Sequence, residues 1–126
     1  MVLLVEDDDG MRGALARVLS IAGYDVRQFA SAEAFQDAVG ATPPRAVCLV
    51  LDIRLPGLSG LELMHWMTAR SFELPVVMMT AFDSVTAHEQ ARQAGARCCL
   101  LKPFAGQALL AAVREAVDDG ARTRGA

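Results

Sequence analysis

Residues 1–9 read MVLLVEDDD. Five apolar residues, Met1 to Val5, run straight into four acids, Glu6 to Asp9. Two carboxylates about 4 Å apart near a protein surface repel by roughly 4 kcal/mol at an effective dielectric of about 20. Either a solvated loop dilutes that cost, or the acids line a site that holds a hard divalent cation. On these nine residues alone both readings stay open. The stretch nevertheless announces a pattern, an apolar strand that stops on acid, and residues 46–52, AVCLVLD, repeat it.

Working outward, apolar runs alternate with helix-period segments at nearly even intervals. Strands are expected at Val2–Val5, Asp25–Phe29, Ala46–Leu51, Pro75–Met79 and Cys98–Leu101. Between the first two, Met11, Leu15, Val18, Leu19 and Ala22 recur at helical spacing, with Gly23 as a left-handed cap. Ser31 is the expected N-cap of a second helix, which Thr42-Pro43-Pro44 should end. Ser59 or Gly60 opens a third helix, and Asp83 or Ser84 caps a fourth that stops at Gly95. The fifth carries Leu109, Leu110, Val113 and Val117. Short, nearly continuous apolar strands joined through helices mean a parallel sheet covered on both faces. Right-handed crossovers then predict a doubly wound (βα)5 α/β fold with strand order 2-1-3-4-5, the flavodoxin-like arrangement. Residues 1–117 form one domain on this reading. The polar, aperiodic DDGARTRGA of residues 118–126 is expected to be a linker or tail.

Bulk properties narrow the function. The net charge is −3, so the chain carries no electrostatic footprint for direct nucleic-acid binding. No apolar run approaches the roughly 18 residues of a membrane span, and no secretion signal is visible, so a cytoplasmic location is expected. Of the three cysteines, Cys48 lies inside an apolar run, while Cys98 and Cys99 are adjacent and would point to opposite faces of a strand. No metal-binding or redox spacing joins them to His65 or His88, and all three read as buried free thiols.

In open α/β sheets the functional crevice lies at the carboxyl ends of the strands, at the switch point between strands 1 and 3. Strand 1 ends on Glu6, Asp7 and Asp8, strand 3 on Asp52, strand 4 on Thr80 and strand 5 on Lys102-Pro103. These converge on one edge, and the cation-site reading of the acids now prevails. All-oxygen ligation suits Mg²⁺. There is no Gly-rich phosphate loop for a nucleotide and no Ser–His or Cys–His pair for acyl transfer. Phosphoryl transfer onto a carboxylate fits, because its catalysis is positioning plus electrostatic stabilisation of the equatorial oxygens. Asp52, ending the central strand, is the expected nucleophile.

These residues stand in the motifs LLVEDD, LVLDIRLPGLSGLEL, VVMMTA and LLKPF. In that order and spacing, from Val2 to about Val117, the chain resembles the receiver domain of bacterial two-component response regulators. SAEAF, residues 31–35, further resembles the FixJ/LuxR-type branch, whose receiver precedes a helix-turn-helix domain. The resemblance implies that Asp52 accepts a phosphoryl group from a sensor histidine kinase. It implies that Glu6, Asp7, Asp52 and the backbone carbonyl of Arg54 hold Mg²⁺, Glu6 through water. Thr80 matches the switch hydroxyl and Lys102 the phosphate-binding lysine, aimed through a cis Lys102-Pro103 bond. Asp8 carries no implied role and reads as strand-end charge; Asp9 reads as a helix N-terminal acid favoured by the dipole. Three residues before Lys102 the family usually carries Tyr or Phe; Cys99 stands there, implying a weaker packing switch, with Phe82 and its neighbours taking part.

The implied function is a phosphoacceptor signalling domain, not an enzyme beyond its own phosphorylation and dephosphorylation. Two outputs compete. One is the regulatory half of a transcription factor, with a DNA-binding output domain beyond residue 126 and a phosphorylation-dependent dimer. The other is a stand-alone receiver acting by protein–protein contact or phosphorelay. The ragged ARTRGA ending favours the first.

Overall fold

The computed structural model describes residues 1–40, 44–81 and 85–125. Strands β1 (Val2–Val5), β2 (Val26–Phe29), β3 (Cys48–Asp52), β4 (Val76–Thr80) and β5 (Cys98–Leu101) alternate with helices α1 (Asp9–Ile21), α2 (Ala32–Val39), α3 (Gly60–Ala69), α4 (Val85–Gln93) and α5 (Gly106–Gly125). All strand pairs are parallel and the sheet order is β2-β1-β3-β4-β5, the doubly wound arrangement expected from the alternation.

Strand alternation sorts the core into two layers. Val2, Leu4, Cys48, Val50, Val77 and Met79 face α1 and α5, meeting Leu15, Leu19, Leu109 and Val113. Leu3, Val5, Leu49, Leu51, Val76 and Met78 face the other way, onto Phe35 and Val39 of α2, Leu63 and Met67 of α3, and Ala91 of α4. The strands β1, β3 and β4 are buried on both faces, which is why they read as unbroken apolar runs. Each buried Leu or Val contributes about 1.5–3 kcal/mol relative to exposure, so these three strands dominate the core. Cys98 and Cys99 do split between the two layers, but both are only half-buried, because β5 is an edge strand; Cys48 alone is fully buried.

Side-chain caps set where the helices begin. Ser31 Oγ accepts from the Ala34 amide at 3.0 Å and starts α2. Ser59 and Glu62 form a reciprocal capping box that starts α3. The expected caps at Asp83 and Ser84, and Phe82, lie outside the described residues. Two boundaries differ from the sequence reading. Helix α2 ends before Thr42-Pro43-Pro44, with Gly40 as its C-cap and the Gly40 amide on the Gln36 carbonyl at 3.0 Å. Helix α5 does not stop near Val117 but continues through the supposed irregular tail to Gly125. A glycine inside a helix costs only about 1 kcal/mol against alanine, too little for Gly120 to end one that is already four turns long.

Candidate functional site

The register puts the chemistry in place. Val5 lies opposite Leu51, so Glu6 and Asp52 leave adjacent strands side by side. Both continue the alternation that faces α1 and α5. The Glu6 amide is held by the Phe29 carbonyl at 3.1 Å and the Ile53 amide by the Met79 carbonyl at 2.9 Å, which extends the sheet past the acids. Glu6 is 1% exposed and Asp52 5%. Asp7 is exposed on the rim. One ligand oxygen from each of Glu6, Asp7 and Asp52 fits within 4.8 Å of the others.

Lys102 enters from the end of β5, where its amide donates to the Thr80 carbonyl at 2.7 Å. Its Nζ donates to Asp52 Oδ2 at 2.8 Å and to Glu6 Oε1 and Oε2 at 3.0 and 3.2 Å. The Arg54 amide donates to the other Asp52 oxygen, Oδ1, at 3.0 Å. Burial, reinforced by Asp52, pushes the Glu6 carboxyl up to about 7 against the opposing pull of Lys102. Burial alone would lower the Lys102 ammonium; the Asp52 and Glu6 carboxylates outweigh it and raise the group, which stays charged. Three acids around one ammonium leave an excess of negative charge. A hard cation with oxygen ligands suits that donor set.

Thr80 is 1% exposed and ends β4 one residue past Met79, the partner of Asp52. It follows Val76 and Met78 in the alternation, so it carries the parity of the α2–α4 side while Glu6 and Asp52 carry that of the α1–α5 side. Sequence reading thus collected Glu6, Asp7, Asp52, Thr80 and Lys102 at one sheet edge, and the structure places them there.

It also adds residues that sequence reading missed. Asp8 is the N-cap of α1, its Oδ2 accepting from the Met11 amide at 2.7 Å. That corrects its reading as mere strand-end charge; an Asp just before a helix-period run was the signal. Asp9 is in the first turn as expected and pairs with Arg12 at 2.6 Å. The same guanidinium donates to the Glu6 and Asp7 carbonyls at 2.9 and 3.5 Å, gripping the loop that carries the acids. No spacing rule would have found that contact.

A family model described as the response regulator receiver domain matches residues 2–114. The chain belongs to this family. Among curated relatives, the receiver domain is 42% identical over 113 residues to the transcriptional regulatory protein FixJ of Azorhizobium caulinodans, covering 90% of this chain and 53% of FixJ. It is 38% identical over 125 residues to the response regulator MprA of Mycolicibacterium vanbaalenii, covering 95% of this chain and 53% of MprA. It therefore spans about half the length of these relatives. Among solved structures, FixJ-N superposes with a TM-score of 0.84 at 31% identity, covering 93% of this chain and 92% of that one.

Two further features of the receiver domain bear on the site. The Lys102-Pro103 bond is cis, as the resemblance implied. Cys99, three residues before Lys102, is half-buried against the α2–α4 core layer. It borders a cleft of about 520 Å³ between α4 and β5, beside Val85, His88 and Ala91.

Proposed function

We propose that this receiver domain accepts a phosphoryl group on Asp52 from a phosphohistidine of a sensor kinase. The observation that carries the reading is the setting of Asp52. Its carboxylate is buried at the switch-point edge, with one oxygen on the Lys102 ammonium, the other on the Arg54 amide, and two more acids within 4.8 Å. In the transfer an Asp52 oxygen attacks phosphorus, the new P–O bond forms as the P–N bond breaks, and the bond's electron pair stays on the leaving nitrogen; the imidazole departs neutral because its other ring nitrogen carries a proton. Lys102 is placed to meet an oxygen of the incoming group. Thr80, which ends the neighbouring strand, would meet another through its hydroxyl. Arg54, through its amide, orients Asp52.

Glu6, Asp7, Asp52 and the Arg54 carbonyl would hold Mg²⁺. When bound, Mg²⁺ supplies positive charge for the transferring oxygens and for the acids themselves. The domain catalyses nothing beyond its own phosphorylation and its reversal. Thr80 has the parity of the α4 side, so a phosphoryl group that draws on its hydroxyl biases the α4–β5 surface, and Cys99 offers that surface less apolar area to move than an aromatic ring.

FixJ and MprA are about twice as long as this chain, and FixJ is named a transcriptional regulator. We therefore place this domain as the regulatory part of a cytoplasmic, DNA-binding regulator, with residues 118–125 of α5 as the start of a helical connection. Incubation with acetyl phosphate and Mg²⁺, read by intact-mass spectrometry, tests the core of the reading. One added phosphoryl group is expected, lost in Asp52→Asn and on chelation. Equal labelling of Asp52→Asn would refute the assignment.

A further inference from the structure

The loop between β3 and α3 leaves Asp52 and returns almost onto it. At its neck the Gly60 amide donates to the Ile53 carbonyl at 2.9 Å. A Cβ at Gly60 would stand 2.3 Å from the Asp52 carbonyl oxygen, so the backbones touch there. On the inner side of the loop the Arg54 amide holds the Asp52 carboxylate. The outer side is gripped from elsewhere. The Leu58 amide donates at 3.2 Å to Oε2 of Glu33, in the first turn of α2 and 25 residues away in sequence. The neighbouring Gly57 has φ 74, and a Cβ there would come within 2.4 Å of that same oxygen. Thus one position lacks a side chain where the carboxylate must pass, and the next offers its amide to it.

We propose that Glu33, the acid of the SAEAF segment, is a positioning residue that latches the β3–α3 loop and so holds Asp52 and the Arg54 carbonyl ready for the cation and the phosphoryl group. The proposal rests on the reading of Asp52 given above. A carboxylate–amide hydrogen bond is charge-assisted and directional. The other end of the latch is firm, because α2 is fixed by the Ser31 cap and by Phe35, which is fully buried. With the neck closed at Gly60 and the tip closed at Glu33, the loop is held at two points. Preorganisation of this kind lowers the cost of binding without adding any contact to the ligand. A simpler role for Glu33, an acid that complements the α2 dipole, needs only its charge. The latch needs an acceptor oxygen and a bare Gly57.

The full chain, as wild type, Glu33→Ala, Glu33→Gln, Gly57→Ala and Glu33→Ala/Gly57→Ala, is titrated with Mg²⁺ by calorimetry, and amide exchange is followed at Leu58. Glu33→Ala should speed Leu58 exchange and weaken Mg²⁺ binding by roughly two- to tenfold, the range that one net hydrogen bond spans. Glu33→Gln, which keeps an acceptor and loses the charge, should restore part of both. Gly57→Ala should weaken binding as well, and by less when Glu33 is already alanine. Wild-type affinity in Glu33→Ala, or a Glu33→Gln variant as weak as Glu33→Ala, would overturn the latch. If the wild type binds no Mg²⁺, the reading of Asp52 fails. Leu58 exchange then decides the latch alone: faster in Glu33→Ala supports it, unchanged refutes it.

Discussion

Lys102 Nζ lies 2.8 Å from Asp52 Oδ2, fifty residues away in sequence, and the same nitrogen spans both oxygens of Glu6. One ammonium thereby offsets two carboxylates that β1 and β3 bring together. Removing it should cost far more than removing one of the acids. Without divalent cations at pH 7.5, Lys102→Met is expected to lose roughly 2–3 kcal/mol in urea unfolding. That is below the 3–5 of a fully buried broken pair, because Glu6 can take up a proton. Asp52→Asn keeps an acceptor for the Arg54 amide and relieves repulsion, so it should stay within about 1 kcal/mol of wild type or exceed it. A larger loss in Asp52→Asn than in Lys102→Met would contradict this balance.

The buried Glu6 makes the metal-free fold sensitive to pH. Folded Glu6 keeps its proton up to about pH 7, while its ordinary value is 4.5. Between those values the folded state binds more protons than the unfolded one, so raising the pH favours unfolding. This contribution is intact below about pH 4.5 and gone once the pH passes about 7, a loss on the order of 1–3 kcal/mol. Thermal melts in chelator should therefore fall from pH 5 to pH 8, and Glu6→Gln should flatten the slope. Added Mg²⁺ should raise the melting temperature more at pH 8 than at pH 5.

Two glycines should respond in opposite directions to alanine. Gly60 meets backbone, with the Asp52 carbonyl oxygen at 2.3 Å and Ile53 Cα at 2.9 Å from a new Cβ. Gly60→Ala is expected to destabilise by about 1–3 kcal/mol, as overpacking does, and to slow phosphorylation because Asp52 must shift. Gly13, inside α1, has open space around it. Gly13→Ala should stabilise by about 0.5–1 kcal/mol, measured by chemical denaturation.

Thiol accessibility should divide the three cysteines. Burial pushes the Cys48 thiol up to about 12. Cys98 and Cys99 are also raised by burial, but remain half-buried at the sheet edge. A thiol reagent at pH 8 should label Cys98 and Cys99 slowly in the native protein and Cys48 only after unfolding. Fast native labelling of Cys48, located by peptide mapping, would contradict its placement between the sheet and its helices.

The cleft between α4 and β5 beside Cys99 offers room for a larger side chain. Cys99→Tyr should enlarge the NMR shift changes on α4 and β5 that a beryllofluoride phosphate mimic induces, because a ring moves more apolar surface between exposed and buried positions. Wild-type changes of equal size would show that Cys99 does not weaken the switch.

Periodicity and position carried the fold and most of the site in the sequence itself. Continuous apolar strands such as LVL of β3 can only be buried on both faces, and helical crossovers leave little choice of topology, so the sheet order followed. The strand-end rule then gathered Glu6, Asp7, Asp52, Thr80 and Lys102 without any distance. Local chemistry marks the Ser31 and Ser59 caps as well, and an Asp just before a helix-period run marks Asp8. The tertiary structure alone decided how those residues engage one another. That Lys102 binds both Glu6 and Asp52, that Arg12 grips the carbonyls of the acidic loop, and that Glu33 meets Leu58 beneath a bare Gly57 are matters of loop path and side-chain reach. Spacing along a chain is silent on such contacts, because their ångström-scale geometry is set by the packing of the sheet and helices that carry them. The length of α5 is likewise a matter of tertiary structure: a single glycine and a polar run weaken a helix by amounts that a helix already formed on a packed face absorbs.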